Sequence, residues 1–197
     1  MEAWRSRYAN VRVYANGVQY VALLRGINLG AHNKVSMAYL RDLFASLGGE
    51  DVSTYVQSGN VVFKSSAAPS KVAEAVEERL KLDLGLEVPV IMRSRVQLAK
   101  LLTANPFAAA ESEPTKLHVT FLAGRPHRAG ARALNALDHG ADRFHIVGRE
   151  IFAHLPNGYA GTKLTNALFE KHLRVAATSR NWRTVTKLAE LASASGI

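Results

Sequence analysis

The sequence predicts an α+β protein: two ferredoxin-like (β-α-β-β-α-β) subdomains in tandem, with a linking helix and a C-terminal helix. Three observations carry that reading. The 197 residues are 48% hydrophobic and 21% charged, close to the globular average and enough for two units of about 100 residues each. Hydrophobic periodicity alternates between two residues and about 3.6 in the order strand, helix, strand, strand, helix, strand. The same order begins again near Leu117 with little sequence identity to the first pass. The expected organisation is an N-terminal extension at 1–18, a first half at 19–93, a linking helix and loop at 94–116, and a second half with the C-terminal helix at 117–197.

Taken in order, the extension shows one short alternating stretch, Val11 to Tyr14, able to add an edge strand. Tyr20 to Arg25 is aliphatic and β-branched and stops at Gly26, which predicts the first strand. Met37, Leu40, Leu43, Phe44 and Leu47 recur at helical spacing, with Ser36 or Asn33 as the cap and Gly48-Gly49 as the stop. Val52–Gln57 and Val61–Lys64 form a hairpin across Ser58-Gly59-Asn60. Pro69-Ser70 opens a helix whose Val72, Val76, Leu80 and Leu84 make one apolar stripe. Val88–Met92 closes the first half, and the linking helix runs from Arg95 to Ala104, before Asn105-Pro106. The second half reads as a strand at 117–122, a weak helix at 130–137, a hairpin at 143–147 and 150–155, a helix at 163–173, a short strand at 174–177 and a closing helix at 181–192.

Composition removes several classes of function. There is no cysteine, which excludes disulfides, a thiol nucleophile, Cys-ligated zinc and iron–sulfur clusters. The longest apolar runs, such as Tyr20 to Leu24, are too short for a bilayer and no export signal is visible, so a cytoplasmic protein without a membrane partner is expected. No cofactor and no metal are expected, and oligomeric state has no signal. The formal net charge is +9. Residues 1–65 carry 7 basic and 4 acidic side chains and residues 160–197 carry 6 and 2, while 66–116 are balanced at 7 and 7. Charge loaded at the ends of the chain fits a phosphate-bearing partner, and equally a basic protein with no nucleic-acid role, since no Lys/Arg-rich run occurs.

Five blocks of residues are distinctive: Tyr20 to Gly30 with His32-Asn33-Lys34-Val35, Tyr55 to Phe63, Asn105-Pro106-Phe107, Gly161 to Asn166, and Thr178 to Val185. In that order they resemble the bacterial family called domain of unknown function 1697, over about residues 19–190. The resemblance implies an α/β protein of two subdomains and carries no activity with it. Residues 1–18 fall outside it.

The strongest candidate site is the first strand–helix loop, Arg25 to Lys34. Arg25 and Lys34 could neutralise a phosphate, Asn28 and Asn33 could bond a sugar or base, and His32 lies between them; the helix start offers free N–H groups. It is neither a P-loop nor a dinucleotide fingerprint. The competing explanation is turn chemistry, with Arg25 paired to a carboxylate. Lys163 and Asn166 open a second helix after a Gly-rich approach with Thr162 as its cap. Arg180, Asn181 and Trp182 open the last one, where Trp182 either packs inward or stacks on a base. Gln57, Ser58 and Asn60 are weaker candidates, since the hairpin turn explains them. That turn and the first loop are expected at opposite edges of the sheet, about 20 Å apart. His118, His145 and His154 fall on strands and could share one face, a faint metal signal. No nucleophile elbow or carboxylate pair is recognisable.

Three readings of function follow. The leading one is a phosphate-recognising binding protein, with nucleic acid or a phosphate-bearing small molecule as partner. The second is an enzyme acting on a phosphorylated or anionic small molecule, and the third is a non-catalytic interaction or scaffold protein.

Overall fold

The computed structural model describes residues 17–30 and 32–194; the Val11–Tyr14 stretch lies outside the described residues. The chain divides into two compact units, one running up to Arg95 and including the stretch from Glu190 onward, the other Val96–Ala189. Among the described residues there are two four-stranded antiparallel sheets and six α-helices.

The first unit contains β1 (Val18–Leu24), α1 (Met37–Ser46), β2 (Glu50–Tyr55), β3 (Asn60–Ser65), α2 (Pro69–Leu84) and β4 (Val90–Ser94), with sheet order β2-β3-β1-β4. Alternation sends Tyr20, Ala22 and Leu24 of β1 to the same side as Val61 and Phe63 of β3. There they meet Leu40, Leu43 and Phe44 of α1 and Val72, Val76 and Leu80 of α2. Phe44 and Phe63 lie 4.9 Å apart between ring centroids, and each fully buried ring contributes about 2–3 kcal/mol. The helical spacing of those apolar residues is therefore what directs both helices onto one face of the sheet.

The second unit takes all but the first residue of α3 (Arg95–Thr103), then β5 (Leu117–Leu122), α4 (Arg128–Asn135), β6 (Arg143–Val147), β7 (Glu150–His154), α5 (Asn166–Leu173), β8 (Ala177–Asn181) and α6 (Trp182–Ala194) as far as Ala189, with sheet order β6-β7-β5-β8. Its core joins Leu122, Ile151, Ala153 and Ala177 of the sheet to Leu134 of α4 and Phe169 and Leu173 of α5.

Three expectations need correction. The last strand lies at 177–181 and not 174–177: Arg174 terminates α5 with a left-handed φ of 58°, and the polar run Thr178 to Asn181 pairs with β5. Its polarity disguised it as a helix cap. Second, α5 starts at Asn166 with Thr165 as its cap, because the Thr162 hydroxyl is used on Asp142 (2.5 Å) and Leu164 N (3.0 Å). Third, β1 and β2 are each antiparallel to β3, which sits between them, so they run in the same direction. The C-terminal end of β1 and the β2–β3 turn therefore share one edge, with Leu23 opposite Asn60. They are not a strand length apart.

At the end of α2 the Asp83 carboxylate accepts from Tyr39 Oη of α1 (2.8 Å) and pairs with Arg79 (2.8 Å). Arg79 first, then Tyr39, holds Asp83 below the usual carboxylate range. Burial first, then Asp83, pushes the Tyr39 hydroxyl from 10.0 up to about 12. A raised phenol favours the folded state below pH 10 and that contribution is lost as pH rises towards 12. Chemical denaturation of Tyr39→Phe across this window should show a shallower decline than the wild type. An identical slope would mean the hydroxyl is uncoupled from folding.

A candidate anion-binding depression at one edge of the first sheet

Because β1 and β2 end together, the β1–α1 loop and the β2–β3 turn are neighbours. Leu24 N donates to Gly59 O (2.8 Å). Gly59 has φ +74°, and a Cβ there would lie 2.8 Å from Leu24 Cβ and Ile27 Cδ1, so no other residue fits without displacing the loop. Asn28 clamps the two segments. Its Nδ2 donates to Gln57 O (2.9 Å) and Val35 O (2.9 Å), and its Oδ1 accepts from Val35 N (3.0 Å). Asn28 and Asn33 have φ 55° and 48°, a region asparagine tolerates. Asn33 Nδ2 donates to Gly26 O (3.1 Å).

These bonds frame a depression of about 530 Å3 lined by Asn28, Lys34, Val35, Ser36, Met37 and Gln57. It opens at the start of α1, where Ser36 Oγ caps Tyr39 N (3.1 Å). Lys34 is exposed, and no ion pair to it occurs among the described residues. On the same two segments, Leu29 and Val56 are 66% and 52% exposed. Val56 has φ 48°, costly for a β-branched residue and of the kind found at ligand clamps. Cation and helix start together suit an anion.

Arg25 lies elsewhere. It lines a separate hollow of about 600 Å3 with Glu74, Glu77, Glu78, Lys81, Glu87, Val88 and Pro89, where Glu77 accepts from Val90 N (2.7 Å) and Lys81 pairs with Glu87 (2.6 Å). Arg25 and Lys34 thus line different hollows. His32 and Asn33 are exposed on the loop. Asn60 is fully buried and its Nδ2 donates to Tyr55 O (3.0 Å) and Ser58 Oγ (2.9 Å), which is the turn chemistry the sequence offered as the plain explanation.

The other candidates belong to the second unit. Lys163 is exposed, and Asn166 Oδ1 accepts from Ser179 Oγ (2.6 Å). Asn181 Oδ1 accepts from Thr184 N (2.9 Å), capping α6. Arg180 is buried, with Nη1 donating to Thr178 Oγ1 and Ser179 O (both 2.8 Å), and burial pulls its guanidinium down to about 10. Trp182 is 4% exposed, its ring 6.4 Å from Phe152, which is the inward-packing arrangement. The three strand histidines do not share a face. His118 pairs opposite Ala153 and Asn181, whereas His145 sits opposite Phe152, two residues from His154, on the other side. There Phe107 lies 5.2 Å and 5.9 Å from the two rings. Sequence reasoning missed Ser36 and Met37 as lining residues, because they read as the cap and the first apolar residue of a helix.

Fold and site define a mixed α+β protein with two antiparallel sheets and a candidate anion-binding edge on the first. Among the described residues no helix is long and apolar enough to cross a membrane. The chain belongs to the family described as "Protein of unknown function (DUF1697)", whose model matches residues 18–152. Its fold is similar to that of a conserved bacterial protein, SP0830 from Streptococcus pneumoniae, with TM-score 0.70 and 24% identity over 89% of this chain and 99% of that one. No curated protein matches it.

Proposed function

We propose that the two units are ferredoxin-like modules in tandem, joined through the segment 94–116, and that the protein is a phosphate-recognising binding protein. The element order and the sheet order β2-β3-β1-β4, repeated as β6-β7-β5-β8, support the first part. One observation carries the second: the exposed Lys34 and the Ser36-capped start of α1 line the same depression as Asn28 and Gln57. A positive side chain beside free helix N–H groups favours phosphate. A small phosphate compound such as a nucleotide fits better than a nucleic acid, because the first unit's other hollow is rich in glutamate and disfavours a long polyanion.

Calorimetric titration with AMP and with inorganic phosphate at low salt tests this. Lys34→Glu should weaken binding by roughly tenfold or more, as for loss of a charge-assisted bond. Arg25→Ala should leave it unchanged, since Arg25 lines the other hollow. No binding by the wild type, or equal loss in both variants, would remove the proposal.

A further inference from the structure

The two units supply an internal control for each other. Equivalent positions follow from the ladders: Leu24 N bonds Gly59 O and Arg25 N bonds Pro89 O in the first unit, as Leu122 N bonds Arg149 O and Ala123 N bonds Ala176 O in the second. Register then matches Tyr20 with His118, Ala22 with Thr120, Phe63 with Ala153 and Met92 with Ser179. All are on the helix-facing side of their sheets. The first unit builds this surface from two aromatic rings 6.0 Å apart, an alanine and a methionine. At the same places the second unit carries an imidazole, two hydroxyls and a small residue.

The fold does not require that polarity, and burying it costs free energy. Thr120 and Ser179 hydroxyls are 2.6 Å apart, and Ser179 continues to Asn166 Oδ1 of α5 (2.6 Å). His118 is 8% exposed and its Nδ1 is buried with no hydrogen-bond partner among the described residues. Such an orphan calls for an explanation. Where the first unit has Phe63 the second has the smaller Ala153, and a ring from outside the sheet joins His118: Tyr159 stacks on it at 4.9 Å and 30°. Tyr159 is 41% exposed and follows Gly158, at φ 81°. A surface tyrosine thus covers a buried imidazole.

We propose that this face of the second sheet binds a planar ring with hydrogen-bonding edges, of nucleobase type, which enters where Tyr159 now lies and meets the edge of the His118 ring, satisfying Nδ1. Thr120, Ser179 and Asn166 form its polar floor. The proposal uses no residue of the first unit's depression and stands or falls separately from phosphate binding there.

Ligand-observed NMR with free adenine and free uracil, which carry no phosphate, tests it on the whole chain. One of the bases should give saturation transfer and shift the His118 ring signals. Tyr159→Ala, with the covering ring removed, should bind severalfold more tightly. His118→Phe, which copies the aromatic character of Tyr20, should weaken binding roughly tenfold without lowering the melting temperature. Should that variant fold poorly, Ser179→Met, which copies Met92, is read in its place with the same expected loss. Failure of both bases to bind wild type and Tyr159→Ala overturns the proposal. So does binding that survives unchanged in the folded His118→Phe or Ser179→Met variant.

Discussion

Gly130→Ala should lower the melting temperature by roughly 5–10 °C, corresponding to about 2–3 kcal/mol. Gly130 lies in the first turn of α4, and a Cβ built on it runs into the backbone carbonyl of His172 in α5. Backbone cannot swing aside as a side chain can. The start of α4 is also held there by His127 N, which donates to Leu173 O (3.1 Å). Helix propensity alone predicts the opposite sign, since alanine is favoured over glycine by about 1 kcal/mol inside a helix. The steric term is larger, so the variant should be destabilised. A rise in melting temperature by calorimetry would mean that α4 shifts away from α5 without cost.

Asn28→Ala should destabilise the first unit by about 2–3 kcal/mol and abolish phosphate binding at the depression. The variant loses the bonds to Val35 N, Val35 O and Gln57 O, each contributing about 1 kcal/mol net and less at this half-buried position. It also places alanine at φ 55°, which costs about a further 1 kcal/mol. Asn28→Gly separates the two causes: it relieves the backbone but restores no bond, and should recover about 1 kcal/mol. Urea denaturation and hydrogen exchange at Val35 N measure both. Equal stability of Asn28→Ala and the wild type would show that loop and turn hold together without the clamp.

Much of this fold was legible because its signals are local. The start of α2 follows from Pro69, a proline in the first turn. The first-unit core was readable from the helical spacing of Leu40, Leu43 and Phe44 and of Val72, Val76 and Leu80. The strand β8 was misread because Thr178 to Asn181 look like cap residues, and a strand whose hydroxyl partners lie across the sheet at Thr120 carries no apolar alternation to betray it. The site was half legible. Lys34, Asn28 and Gln57 stood out as loop polarity, but their assembly was misjudged through a wrong view of strand direction.

The sequence by itself determined the number, order and kind of elements, and which loops concentrate positive charge and left-handed residues, since spacing, capping and turn chemistry act over a few neighbours. Only the tertiary structure decided which loops meet. That depends on β3 lying antiparallel between β1 and β2, a pairing between residues distant along the chain. The same reason hid the comparison of Tyr20 with His118, because equivalent positions in two units are defined by ladder register and not by the residues that occupy them.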